Sequence, residues 1–152
     1  LGGTNDDALA DMQETSDGGL ILAGKSTSGA GADKTTPSKI AYGNTADYWI
    51  SKTDAYGRKI WDIAYGGGDT EYLTSVQQTS DGGYIAGGWS HSELSGNKSM
   101  ASKGEFDYWI VKMDATGKML WDKSFGGDKT DALATIRQSP DGGYILGGYS
   151  VT

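Results

Sequence analysis

Ser80-Asp81-Gly82-Gly83-Tyr84-Ile85-Ala86-Gly87-Gly88-Trp89-Ser90 is the stretch whose reading decides the fold. Asp-Gly-Gly between two strand-like segments signals a tight turn, because the glycines supply the positive φ that hairpin turns demand. Tyr84 to Ser90 after the turn and Leu73 to Thr79 before it are short and rich in aromatic, β-branched and small residues, so each reads as a strand. The same turn recurs at Asp17-Gly18-Gly19 and Asp141-Gly142-Gly143, at offsets of 64 and 60 residues. The strand behind it recurs as Leu20 to Ser26 and as Tyr144 to Ser150.

Working outward from the turn, Asp-Tyr-Trp-Ile occurs at Asp47 to Ile50 and Asp107 to Ile110, and Trp61-Asp62 returns as Trp121-Asp122. A glycine pair opens each unit: Gly2-Gly3, Gly66-Gly67 and Gly126-Gly127. Self-similarity at a fixed period marks a repeat architecture. The units are residues 1–64, 65–124 and a partial third, 125–152. A third strand is expected over Asp47 to Thr53 and Asp107 to Met113. Asp54-Ala55-Tyr56-Gly57 and Asp114-Ala115-Thr116-Gly117 are four-residue hairpin loops with glycine at the left-handed position. Fourth strands follow at Arg58 to Ala64 and Lys118 to Ser124.

Four short antiparallel strands per unit without helical periodicity predict an all-β fold of β-propeller blades, two full and part of a third. A blade buries its faces only against neighbours, and Tyr108 to Val111 is apolar on both sides. Gly87-Gly88 and Gly147-Gly148 suit crowded inner strands. Propellers close with about four to eight blades, so the expected setting is a segment of a longer chain, its partners the neighbouring blades. Self-association or an open stack of sheets is the alternative.

Composition narrows the function. Of 152 residues 25 are glycine and 2 proline, and the formal net charge of −7 disfavours nucleic acid as a partner. No apolar run approaches the roughly 20 residues of a membrane span. Without cysteine there is no thiolate nucleophile, disulfide or sulfur-ligated metal. The chain starts at Leu1 with no signal-peptide pattern, which decides nothing about a leader.

The run Gly-Gly, Gln-Thr-Ser-Asp-Gly-Gly-Tyr-Ile, Asp-Tyr-Trp-Ile-Val-Lys and Trp-Asp resembles the bacterial β-propeller repeats of secreted and surface proteins, similar to the SBBP repeat. The resemblance implies a large extracellular or cell-surface protein, often exported by type IX secretion, with a role in adhesion or ligand binding. It implies no catalytic residues.

Candidate sites each carry two readings. Asp7, Glu71 and Asp131 precede the leucine of each first strand by two residues. They would suit Ca²⁺, a hard cation, or a repeated structural task such as accepting turn N–H groups. Asp47 and Asp107 enter the third strands, as ligands or as ties between loop and strand. Trp89 and Tyr149, with Lys25 at the same position of the first unit, are candidates for glycan or protein contact at a loop rim, or for packing between blades. Trp49, Trp61, Trp109 and Trp121 read as core. The connections Thr27 to Ala46 and Ser92 to Phe106 differ most between units and suit either recognition or tolerated insertion. Their lysines, Lys34, Lys39, Lys98 and Lys103, read as solvated. His91, the single histidine, has no partners for a triad or zinc site. The expected function is non-enzymatic adhesion or ligand binding. The rivals are a spacer repeat and part of a propeller hydrolase or lyase. No cofactor is expected apart from the calcium reading.

Overall fold

The computed structural model describes residues 1–38 and 45–151. Among these residues ten strands make three antiparallel sheets, each a meander in chain order. The first holds β1 (Asp7–Glu14), β2 (Leu20–Ser26), β3 (Asp47–Thr53) and β4 (Lys59–Tyr65). The second holds β5 (Glu71–Gln78), β6 (Tyr84–Ser90), β7 (Asp107–Met113) and β8 (Met119–Phe125). The third is the pair β9 (Asp131–Gln138) and β10 (Tyr144–Ser150). Among the described residues no helix is long and apolar enough to cross a membrane.

The second and third strands fall where the repeat predicts them. The first strand begins two residues earlier than expected, because Glu71 is paired to Ser90. The fourth begins one residue later. Arg58 O accepts from Asp54 N at 2.9 Å, so Arg58 closes the hairpin loop instead of opening the strand. The turn also differs in detail. Gly18, Gly82 and Gly142 adopt φ of 79°, 79° and 87°, but the second glycine of each turn is not left-handed. Gly83 is needed for closeness: a Cβ there would run into Met113 O and lie 2.7 Å from Lys112 Nζ.

The paired motifs are tied by hydrogen bonds across their hairpins. Trp49 Nε1 donates to Asp62 Oδ2 at 3.0 Å, and Trp109 Nε1 to Asp122 Oδ2 at 2.9 Å, so each Tyr-Trp motif is tied to its Trp-Asp across the β3–β4 or β7–β8 hairpin. Lys52 and Lys112, both buried, reach back to the turn carboxylates Asp17 and Asp81. Trp49 and Trp109 are core residues. Trp61 and Trp121 are half-buried and lie edge-on against a tyrosine of the next sheet, Tyr84 at 5.8 Å and Tyr144 at 5.9 Å.

The sheets stack in order. Ile21, Tyr48 and Ile50 of the first meet Leu73, Val76 and Trp109 of the second, while Ile85 and Ile110 of the second meet Leu133 and Ile136 of the third. Tyr48 Oη donates to Trp109 O at 2.9 Å across the first junction. Backbone also joins the units: Glu71 N donates to Ala46 O at 2.7 Å, and Asp131 N to Phe106 O at 2.6 Å. The stack does not close into a ring, and Leu9 and Met12 remain exposed on the outer face of the first sheet.

Candidate functional site

The rim at the ends of the second strands gathers the aromatic and cationic candidates. Trp89 in β6 pairs with Tyr72 in β5, and their rings stack at 4.0 Å with planes 23° apart. Phe106, leading into β7, presents its edge to Trp89 at 4.7 Å. Lys25 in β2 of the preceding sheet holds Nζ 4.3 Å above the Tyr72 ring. Lys25 and Trp89 are therefore brought together through Tyr72, which the sequence reading passed over. Its signal was positional: Tyr72 stands where the other units have Ala8 and Ala132. Tyr149 is exposed, opposite Ala132, and takes no part in the stack. Beside the stack, a polar cleft of about 540 Å³ is lined by Asn5, Asp6, Lys25, Thr27 and Tyr72 among others. His91 tilts against Phe106 at 5.2 Å with Nδ1 3.0 Å from Asp69 Oδ2.

The three repeated carboxylates occupy one place in three separate sheets. Asp7 accepts from Gly3 N at 2.5 Å and Ser28 Oγ at 3.1 Å. Glu71 accepts from Gly67 N at 2.9 Å, Ser90 Oγ at 2.7 Å and Ser92 Oγ. Asp131 accepts from Gly127 N at 2.8 Å. Each thus braces the glycine pair that opens its unit. Among the described residues no group of three or more histidine or acidic side chains is placed to hold a metal ion. Glu71 is fully enclosed, and burial first, with the nearby Asp47 charge adding, pushes its carboxyl above the usual range. Gly66 lies between the two acids: a Cβ there would meet Asp47 and come within 2.8 Å of Glu71 Oε2. Asp107 accepts from Lys103 N at 2.7 Å, tying the loop to the strand entry.

Two of the loop lysines are buried, which corrects their expected solvation. Lys34 Nζ donates to Ser26 Oγ at 2.9 Å, Ser28 O at 2.7 Å and Ser38 Oγ at 3.0 Å. Lys98 Nζ donates to Ser92 O at 3.1 Å and Ser102 Oγ at 3.0 Å. Burial lowers the Lys98 pKa, and the charges of Asp107, Glu71 and Asp122 oppose that shift. Each lysine is the peg on which its long loop is wound. The signal was present in the sequence: Lys34, Ser28 and Ser38 return as Lys98, Ser92 and Ser102 at the same offset of 64 as the turns. Lys103 is exposed, and Lys39 lies outside the described residues.

No family model matches the chain. The regulatory protein FlaEY of Caulobacter vibrioides is 28% identical over 97 residues, which is 61% of this chain and 10% of that protein. The similarity therefore concerns a tenth of that relative's length.

Proposed function

We propose that this chain is a non-enzymatic binding segment of a β-propeller in a secreted or cell-surface protein, and that its ligand is a glycan or protein segment met at the rim. The observation that carries the reading is the Tyr72–Trp89 stack capped by Lys25 beside a polar cleft. An apolar ring covers the C–H face of a pyranose, and an ammonium donates to hydroxyl or carboxylate oxygens. The meander of four strands stacked on its neighbours and the resemblance to SBBP-like repeats support the propeller part. The acids offer little for an enzyme here: Glu71, whose carboxyl is pushed up, is enclosed and already accepts hydrogen bonds. Asp7, Glu71 and Asp131 act in this reading as braces, and a calcium-dependent shift in thermal stability would return them to metal binding.

Titration calorimetry of the chain against a panel of neutral and acidic oligosaccharides tests the reading. Trp89→Ala and Lys25→Ala should each weaken binding by about two- to tenfold, the range for an aromatic or cation contact at a half-exposed site. Far-UV circular dichroism should stay unchanged. A panel without a binder, or binding indifferent to both substitutions, removes the rim as the ligand site.

A further inference from the structure

The first two units share one backbone frame at the rim. Thr27 N donates to Asp6 O at 2.9 Å in the first unit, and His91 N to Thr70 O at 3.1 Å in the second. Asn5 N donates to Ser28 Oγ and Asp69 N to Ser92 Oγ, both at 2.9 Å. Towards the next sheet, Ala46 O accepts from Glu71 N at 2.7 Å and Phe106 O from Asp131 N at 2.6 Å. Lys25 pairs with Tyr48 as Trp89 pairs with Tyr108. Lys25, Thr27 and Ala46 therefore stand where Trp89, His91 and Phe106 stand one unit on.

The side chains on that frame differ. In the second unit Phe106 lies 4.7 Å from the Trp89 ring and 5.2 Å from His91, so the rings pack on Phe106. In the first unit the ring is missing, because the residue is Ala46, and a cleft of about 540 Å³ opens among Asn5, Asp6, Lys25, Thr27, Ala46 and Tyr72. Sites for small ligands occupy about 300–1,000 Å³. The first two sheets, which supply these residues, each have all four strands.

The polar groups of the cleft are free to meet a ligand. Among the described residues the Asp6 carboxylate accepts no hydrogen bond, and Lys25 forms no ion pair but lies 4.3 Å from the Tyr72 ring. A carboxylate that accepts, an ammonium that donates, and amide and hydroxyl groups that do both complement sugar hydroxyls, each at once donor and acceptor. Asp6 opposes a second carboxylate in the cleft, and the whole chain carries −7. Protein segments anchor through buried aromatic and aliphatic side chains, whereas this lining is polar apart from Ala46 and Tyr72.

With the rim as the ligand site, we propose that this cleft receives a neutral sugar unit whose hydroxyls bond to Asp6, Asn5 and Lys25. Ala46 decides access to it, since a phenyl ring fills the equivalent place one unit on.

Heteronuclear NMR titration of the full chain with methyl glycosides of neutral hexoses and, in parallel, with glucuronate and galacturonate tests this. The neutral glycosides should shift the amide signals of Asn5, Thr27 and Tyr72, and the uronates should bind roughly tenfold more weakly. Ala46→Phe should abolish the shifts. The frame accepts the larger residue, because Phe106 makes the same backbone bond, and circular dichroism verifies that the variant folds. Asp6→Asn, at an exposed position, should weaken neutral sugars by roughly tenfold and narrow their advantage over uronates. It keeps the test decisive even where Ala46→Phe fails to fold. Sugar binding that Trp89→Ala weakens but Ala46→Phe and Asp6→Asn leave unchanged overturns the cleft and keeps the rim. Tighter binding of uronates, or of peptides alone, overturns the neutral-sugar assignment. A chain that responds to none of these probes overturns both the cleft and the rim.

Discussion

Replacing Trp109 by phenylalanine separates the indole hydrogen bond from simple burial. The side chain is fully enclosed, and its N–H donates to Asp122 Oδ2 at 2.9 Å. A hydrogen bond to a charged acceptor contributes about 1.5–3 kcal/mol. Shrinking a fully buried indole to a phenyl ring adds about 1–2 kcal/mol for lost contact and residual void. Trp109→Phe should therefore cost about 3–4 kcal/mol. The equivalent change at Trp49 should cost about 1 kcal/mol less, because Asp62 keeps Thr35 N at 2.9 Å, Thr35 Oγ1 at 2.5 Å and Lys59 Nζ at 2.8 Å. Asp122, also buried, keeps Ser99 N at 2.9 Å. Urea unfolding followed by far-UV circular dichroism, at fixed protein concentration, gives both losses. A double-mutant cycle with Asp122→Asn should return a coupling of about 1–2 kcal/mol. A loss below about 1 kcal/mol at Trp109, or a coupling near zero, would refute the assignment of the paired motifs to one hydrogen-bonded unit.

Gly88→Ala should destabilise by about 2–3 kcal/mol in the same assay, since backbone cannot swing aside from an overpacked methyl. The added Cβ would strike Tyr72 O and lie 2.8 Å from Leu73 Cα on the paired strand, so an unchanged midpoint would contradict that close approach. Two acids should shape the pH dependence in opposite senses. Asp81 is held down to about 2 by the Thr79 hydroxyl first and then by Lys112, so its contribution is complete above the ordinary 3.8 and is lost as pH falls from there towards 2. Asp81→Asn should flatten that acid limb of the stability curve. Glu71 is pushed above 4.5 by burial, so its contribution is complete below 4.5 and is lost as pH rises, and Glu71→Gln should remove this slope.

The repeat alone determined the local architecture. Asp-Gly-Gly, Asp-Tyr-Trp-Ile and the Asp-x-x-Gly loops fix where strands start and turn, because turn chemistry and two-residue alternation act over a few neighbouring residues. β2, β3, β6, β7 and β10 accordingly have the bounds that the sequence predicts. The burial of Lys34 and Lys98 was legible only as a repeated spacing, since nothing in a polar loop says that an ammonium will find three oxygens or two. Tyr72 carried only a positional signal, an aromatic where the other units have Ala8 and Ala132, and that does not place it at the centre of the rim. Its ring is bounded by Trp89 from the paired strand and by Lys25 from the sheet before it, one a register and the other a stacking relation. The same holds for the glycine pairs that Asp7, Glu71 and Asp131 brace. The sequence by itself determined what each four-stranded unit is, because those interactions are local. Which side chains meet between units was decided only by the tertiary structure, because contacts about 60 residues apart depend on how one sheet lies on the next.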